Sequence, residues 1–202
     1  LKVGEIVRIK SLWRSRAPSK VKTSRSRALI NSNFSYGVLE EYRDAWLSLA
    51  VGACIEAGFE PVISRHPFDK GELYPEFHTQ MGFFEAVRTC DVTIQRFASG
   101  ILEALAIGVP VVYFNPHGER VDKFTEPNDA YLAIETRREL EAILREGRYF
   151  WDERTAKSFL ELHAGLREDV ADPGARIVQI LRSIVDAAGS PKSSFVEEID
   201  GI

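Results

Sequence analysis

Short apolar runs alternate along the chain with segments whose apolar residues recur every three or four positions. The short runs are typical of buried strands and lie near 28–33, 59–64, 91–95, 110–114 and 131–134. Helical spacing predicts helices over 38–57, 78–89, from Ser99 to Gly108, and over 136–144. This alternation predicts a three-layer α/β domain with a mostly parallel sheet.

Two further helices are predicted after the last strand, over 151–166 and 173–188. The second begins at a proline, as helices often do, and ends before Gly189. Its apolar residues recur at helical spacing and predict packing against a core: Ile177, Ile180, Leu181, Ile184 and Val185. The sequence thus divides into a basic arm or linker over 1–27, the α/β domain over 28–188, and a flexible tail over 189–202.

Charge is distributed unevenly between the arm and the domain. Residues 1–27 hold nine Lys or Arg and one Glu, whereas the whole chain has a net charge of −4. The acidic body argues against nucleic acid as the main partner. The basic arm has two interpretations, either a connector between domains or a contact with an anionic membrane surface. No segment reads as a secretory signal or a membrane span, and no residue cluster has metal-ligand spacing.

The two cysteines, Cys54 and Cys90, are predicted to be buried thiols in a reducing compartment, which favours a cytoplasmic protein.

The stretch from Asp91 to Phe114 reads as strand, turn, helix, glycine stop and strand. The turn holds Ser99 and Gly100 at a helix N-terminus, where free backbone N–H groups and the helix dipole favour a phosphate. Glu103 follows one turn later, and a carboxylate there can accept hydrogen bonds from two ribose hydroxyls. This stretch therefore predicts a nucleotide site.

A second polar cluster follows the strand at 59–64, where Arg65 and His66 precede Pro67. Imidazole can donate a hydrogen bond to phosphate, and the planar guanidinium can pair with it. Pro67 favours an extended chain before it and so holds the His66 ring at the strand end. His117 and Glu119 follow the strand at 110–114 and are further candidates for donor contact.

These motifs resemble the C-terminal, donor-binding lobe of GT-B glycosyltransferases. The resemblance covers roughly residues 27–182 and rests on the Ser-x3-Glu turn, on the Gly-Val-Pro-Val-Val run from Gly108, and on the His-Pro pair. It implies a Rossmann-like fold, with Arg65, His66, Ser99 and Gly100 at the donor phosphates and Glu103 at the ribose. It also implies catalysis by His66, as in families that use cytidine-nucleotide donors.

The predicted function is transfer of a sugar from a nucleotide-sugar donor, in surface polysaccharide or glycoconjugate synthesis. The partners would be the nucleotide-sugar and a carbohydrate or lipid-linked acceptor, with no separate cofactor. Because the chain begins at Leu1, a further GT-B lobe is expected upstream. Two alternatives stay open: a module that binds nucleotide without turnover, and a nucleotide-sugar epimerase of GT-B architecture. Gln95 stands where retaining enzymes often carry Glu, so the stereochemical outcome stays open.

Overall fold

The computed structural model describes residues 7–16, 25–34, 39–119, 129–166 and 173–189. Its strands are β1 (Arg27–Ser32), β2 (Glu60–Arg65), β3 (Val92–Gln95), β4 (Val111–Phe114) and β5 (Leu132–Ile134). Its helices are α1 (Val7–Arg14), α2 (Arg43–Glu56), α3 (Phe83–Arg88), α4 (Gly100–Ile107), α5 (Arg137–Arg145), α6 (Glu153–His163) and α7 (Pro173–Gly189). Short 3-10 turns precede α2 at Glu40–Tyr42 and α3 at Pro75–Phe77.

The five strands form one parallel sheet in the order β2-β1-β3-β4-β5. This confirms the predicted α/β class, and each strand begins and ends within one residue of its predicted bounds. The strands were recognisable because helices cover both faces of the sheet, so they read as continuous apolar runs. Every residue of β3 and β4 is buried.

Two hydrophobic cores lie on the two faces of the sheet. One contains residues of α1, α3, α4 and α6, and the other contains residues of α2 and α5. All eight residues of α4 are buried, because α1, α3 and α6 pack around it. The thiols of Cys54 and Cys90 are buried within these cores, as predicted. The arrangement is the expected three-layer, Rossmann-like domain.

Helix α1 is the main difference from the expected arm. Within residues 1–27, the segment Val7–Arg14 is helical and buries Ile9, Leu12 and Trp13 against α4 and its neighbours. The spacing of these three residues, three and one apart, places them on one helix face. The surrounding Lys, Arg and Ser residues concealed that face in the sequence. Residues 1–6 and 17–24 of the arm lie outside the described residues.

The stripe on α7 also differs from its prediction. Leu181, Ile184 and Val185 are exposed, so the expectation that they pack in the core is wrong. Helical periodicity identifies an apolar face but does not show what covers it. The predicted tail beyond Gly189 lies outside the described residues. No helix within the described ranges is both long enough and apolar enough to cross a membrane.

Strand order places a crevice at the carboxyl edge of the sheet. From β1 the chain moves through α2 to β2 on one side, and from β3 through α4 to β4 on the other. The connections after β1 and β3 therefore diverge to opposite faces and leave a gap between the two strand ends. In open α/β sheets, ligands bind at this switch point.

Candidate functional site

The polar residues singled out in the sequence all lie at the carboxyl edge of the sheet, but at different strands. Arg65 is the last residue of the edge strand β2, and His66 comes directly after it. Ser99 and Gly100 follow β3, which lies two strands away. His117 and Glu119 follow β4, one strand further. With neighbouring strands about 4.8 Å apart, the row spans about 14 Å. Its centre is the crevice between β1 and β3.

Gly100 is required by the packing of α4 against the ends of β1 and β3. A Cβ on Gly100 would lie 2.5 Å from Gln95 Oε1 and 2.7 Å from Asn31 Nδ2. The buried Gln95 side chain donates to the Gly100 carbonyl at 3.0 Å and accepts from Asn31 at 3.2 Å. Gln95 thereby joins both strand ends to the start of α4, which accounts for an amide at this position.

Ser99 precedes α4 as its N-cap, and its side chain is exposed. The Ser99 hydroxyl makes no capping hydrogen bond to the helix. An N-terminus without a side-chain cap keeps its positive dipole end available to an anion. Ser99 and Gly100 therefore lie at a helix N-terminus, as the sequence predicts, and the fold places that N-terminus beside the switch point.

Glu103 lies in the first turn of α4 and forms an ion pair with Arg8 of α1. The distance from Arg8 Nη2 to Glu103 Oε1 is 2.5 Å, and the side-chain exposures are 56% for Arg8 and 8% for Glu103. Arg8 also lies over the Phe84 ring, 5.5 Å from its centroid. The carboxylate predicted for ribose is therefore held by a helix from the N-terminal segment, and a diol must share Arg8 with it or displace Arg8.

Burial raises the pKa of Glu103 above its ordinary value of 4.5, and the nearby Arg8 charge opposes this only in part. A carboxyl whose pKa is raised by folding stabilises the protein below its unfolded pKa, and loses that contribution as pH rises through its folded pKa.

A pH-dependent stability difference is expected between the parent and Glu103→Gln, which cannot ionise at this position. The unfolding free energies should converge below pH 4.5, and the Gln variant should gain relative to the parent as pH rises toward 7. Thermal or urea denaturation across that range measures the difference, in which all other titrating groups cancel. A difference that is constant with pH, or that grows as pH falls, would contradict the assigned direction.

His66 is half-buried and follows β2, in a loop tied to the end of β1. Its backbone N–H donates to the Ser32 carbonyl at 3.2 Å, and its own carbonyl accepts from the Asp69 N–H at 2.8 Å. The exposed Arg65 donates through Nη1 to the Gly71 carbonyl at 2.8 Å, across the same loop. Both residues thus belong to one ordered turn over the β2 end.

Arg96, which has no assigned role in the sequence prediction, forms a buried ion pair with Glu119. Arg96 Nη2 lies 2.5 Å from Glu119 Oε1, and Nη1 donates to the Asn33 carbonyl at 2.8 Å. Its guanidinium also stacks 4.0 Å from the Phe34 ring centroid. Arg96 therefore joins the connections that follow β1, β3 and β4.

His117 stacks on Tyr42 with ring centroids 4.6 Å apart. Its Nε2 is buried and has no hydrogen-bond partner among the described residues. A shallow depression surrounds it, lined by Phe34, Tyr42, Trp46, Phe114 and Glu119 among others. His117 and Glu119 thus meet at one depression, three strands from His66.

Three residues of this region were not identified from the sequence: Arg8, Arg43 and Asp69. Arg8 lay in a segment interpreted as a linker. Asp69 and Arg43 lie 26 positions apart, so only the fold brings them together. A buried acid after a strand and a buried base at a helix start carry no local periodic signal.

The described residues form a Rossmann-like α/β lobe with its polar residues gathered at the carboxyl edge of the sheet. No protein-family model matches the chain, and no curated protein matches it by sequence. Among solved structures, it is similar to a variant of the wall teichoic acid polymerase TagF, with 11% identity and a TM-score of 0.50. It is also similar to the spinosyn rhamnosyltransferase SpnG, with 20% identity and a TM-score of 0.52.

These alignments cover 90% and 81% of this chain, but only 48% of the TagF chain and 46% of the SpnG chain. The chain thus spans a little under half the length of each. The structural neighbours are glycosyltransferases, and at this identity the likeness establishes the fold alone.

Proposed function

We propose that this chain is the donor-binding lobe of a glycosyltransferase that takes its sugar from a nucleotide-sugar. The observation that carries the proposal is the pairing of an α4 N-terminus without a side-chain cap with a buried carboxylate one turn later, beside the switch point. A helix N-terminus suits a diphosphate, and a carboxylate acceptor suits the two ribose hydroxyls. The structural similarity to two glycosyltransferases supports the same class.

His66 is proposed to act on the donor diphosphate. Transfer breaks the bond between the anomeric carbon and the phosphate oxygen, and the electron pair stays on the departing phosphate. A hydrogen bond from imidazole to that oxygen strengthens as its charge grows, so it lowers the barrier more than it aids ground-state binding. Ser99, the Gly100 end of α4 and Arg65 would hold the remaining phosphate oxygens.

The base that accepts the proton of the acceptor hydroxyl is proposed to lie on a second, upstream lobe. The acceptor is a carbohydrate or lipid-linked glycan, and the product a surface polysaccharide or glycoconjugate. This assignment is supported by the similarity to a polymerase of wall teichoic acid. The basic residues around α1 would favour work in the cytoplasm at the inner, anionic face of a membrane.

Nucleotide binding tests the proposal without requiring turnover. A thermal-shift panel of CMP, CDP, UDP, GDP and their sugars should contain at least one stabilising ligand, because a ligand at one hundred times its dissociation constant adds about 2.7 kcal/mol. No shift with any of them would remove the nucleotide-sugar assignment. Product formation from a nucleotide-sugar without any acceptor would favour an epimerase. Nucleotide binding with no turnover, even when a second lobe is present, would favour a nucleotide-binding module.

His66→Ala should weaken binding of the nucleoside diphosphate by roughly 10- to 100-fold, which corresponds to one hydrogen bond to a charged group. The matching nucleoside should bind as in the parent, because it lacks the phosphate that His66 is proposed to contact. Calorimetry with both ligands measures the two affinities. The proposed contact between His66 and the phosphate is excluded if both affinities fall together, or if neither changes.

A further inference from the structure

Asp69 is a buried acid that the sequence analysis did not use. Its side chain is 1% exposed, and its carboxylate accepts hydrogen bonds from three of the described residues. Oδ1 accepts from Arg43 Nε at 2.7 Å and from the Gly71 N–H at 2.9 Å. Oδ2 accepts from the Ser32 hydroxyl at 2.7 Å. A carboxylate with this many directed partners has a single orientation.

The partners of Asp69 come from three elements around His66. Ser32 ends β1, Arg43 begins α2, and Gly71 lies on the far side of the His66 loop. The Asp69 N–H donates to the His66 carbonyl, and the Ser32 carbonyl accepts from the His66 N–H. Ser32 and Asp69 therefore bond to each other through their side chains and to His66 through their backbones.

Gly71 completes this arrangement by its lack of a side chain. A Cβ at Gly71 would lie 1.8 Å from Arg43 Cζ and 2.0 Å from its Nη1. The Gly71 backbone therefore lies directly against the guanidinium plane. Arg43 is itself buried, with 8% side-chain exposure, and its Nη1 donates to Asp44 at 2.8 Å. The loop that contains His66 is thus held in two ways. The Gly71 backbone packs against the Arg43 guanidinium, and the Asp69 carboxylate accepts hydrogen bonds from both Arg43 and Gly71.

The clamped loop also determines which nitrogen of His66 carries the proton. The Phe68 N–H donates to His66 Nδ1 at 3.3 Å, so Nδ1 acts as the acceptor. In a neutral imidazole the other nitrogen, Nε2, then carries the proton and is the donor. The hydrogen bond depends on the turn from His66 to Asp69, and the buried carboxylate holds that turn.

We propose that Asp69 is the positioning residue for His66, holding its ring with Nε2–H as the donor toward the phosphate. Arg43, Ser32 and Gly71 are the groups through which Asp69 does so. This inference rests on the proposed function for the role of the phosphate, but the state of the ring can be measured independently. A purely structural ion pair would stabilise the fold and leave the His66 tautomer unaffected.

The test compares Asp69→Asn with the parent by nitrogen-15 NMR of the neutral imidazole rings. The parent should show the Nε2–H tautomer at His66. Asp69→Asn removes the negative charge that pairs with the buried Arg43 and replaces one carboxylate oxygen with an NH2 donor. The loop should therefore loosen and the two tautomers should mix. Affinity for nucleoside diphosphate should fall roughly tenfold, and affinity for the nucleoside should not change.

Two variants keep the test decisive. Ser32→Ala removes one partner of Asp69 and serves if Asp69→Asn does not fold; it should show the same tautomer mixing to a smaller degree. Asp152→Asn is the control, because Asp152 caps α6 through the Thr155 N–H and is exposed. Because asparagine caps a helix about as well as aspartate, this matched Asp-to-Asn change should leave both stability and His66 nearly unchanged.

An unchanged tautomer and unchanged diphosphate affinity, with only a lower melting temperature, would overturn the positioning role. If the parent binds no nucleotide, the proposed function fails, and the tautomer alone still decides whether Asp69 orients the ring.

Discussion

The Glu103→Ala variant is expected to bind its nucleotide about 2–4 kcal/mol more weakly, because it loses a charged acceptor for two ribose hydroxyls. The fold should change little in stability, since the buried carboxylate is costly in its ionised form and alanine is the best helix former. The partner Arg8 is half exposed and can return to water. Calorimetry with the nucleotide and with its deoxyribose form measures the effect.

Control variants distinguish the loss of hydrogen bonds to the two ribose hydroxyls from a general change in the charge of the lobe. Glu161→Ala removes an exposed glutamate on α6 that pairs only loosely with Lys157, and nucleotide affinity should not change. Arg8→Gln releases the carboxylate from its ion pair, so affinity should rise if Arg8 competes with ribose. Equal affinity of the parent and Glu103→Ala for the nucleotide would remove Glu103 from the site.

The second large effect is a loss of stability on substitution of Trp46, a buried residue that lines the depression at His117. Its side chain is 1% exposed, and its ring packs against Phe34 and Phe114 at centroid distances of 5.7 and 5.9 Å. The indole N–H donates to the Phe114 carbonyl at 3.0 Å. Trp46→Ala should lower the unfolding free energy by about 3–5 kcal/mol through the cavity it leaves. Urea denaturation measures this loss.

Two further variants divide the effect of Trp46 into its parts. Trp46→Phe keeps most of the ring but leaves the Phe114 carbonyl without its donor, so a loss of about 1–3 kcal/mol is expected. Phe150→Ala removes an exposed aromatic and should change stability by less than about 0.5 kcal/mol. A loss at Trp46→Ala no greater than at Phe150→Ala would show that this face of the sheet is not the core described.

These predictions connect the stability of the lobe with its binding edge. Trp46 and Phe34 line the depression at His117, and the Phe34 ring also stacks against the Arg96 guanidinium. Arg96 in turn holds Glu119. The connections after β1, β3 and β4 are therefore joined by contacts among buried side chains, which keeps the carboxyl edge of the sheet ordered.

The sequence by itself determined the fold class and the position of every strand. Strands buried on both faces read as nearly continuous apolar runs. A glycine at a helix end favours the positive φ that terminates the helix, as at Gly108 with φ 93°. The helix after Thr136 was equally readable, because its capping box of Thr136 and Glu139 is a local pattern. The edge at which Arg65, His66, Ser99 and Glu119 gather follows from parallel strands alone.

Only the tertiary structure decided what those side chains touch. The ion pair of Arg8 with Glu103 joins residues 95 positions apart, from a segment whose charges concealed its apolar face. Asp69 and Arg43 meet only because the β2 loop folds over the start of α2. Leu181 and Ile184 have the periodicity of a core helix and yet are exposed. Local pattern reflects the backbone and its periodicity, whereas ion pairs and burial depend on neighbours that the chain brings together from far apart.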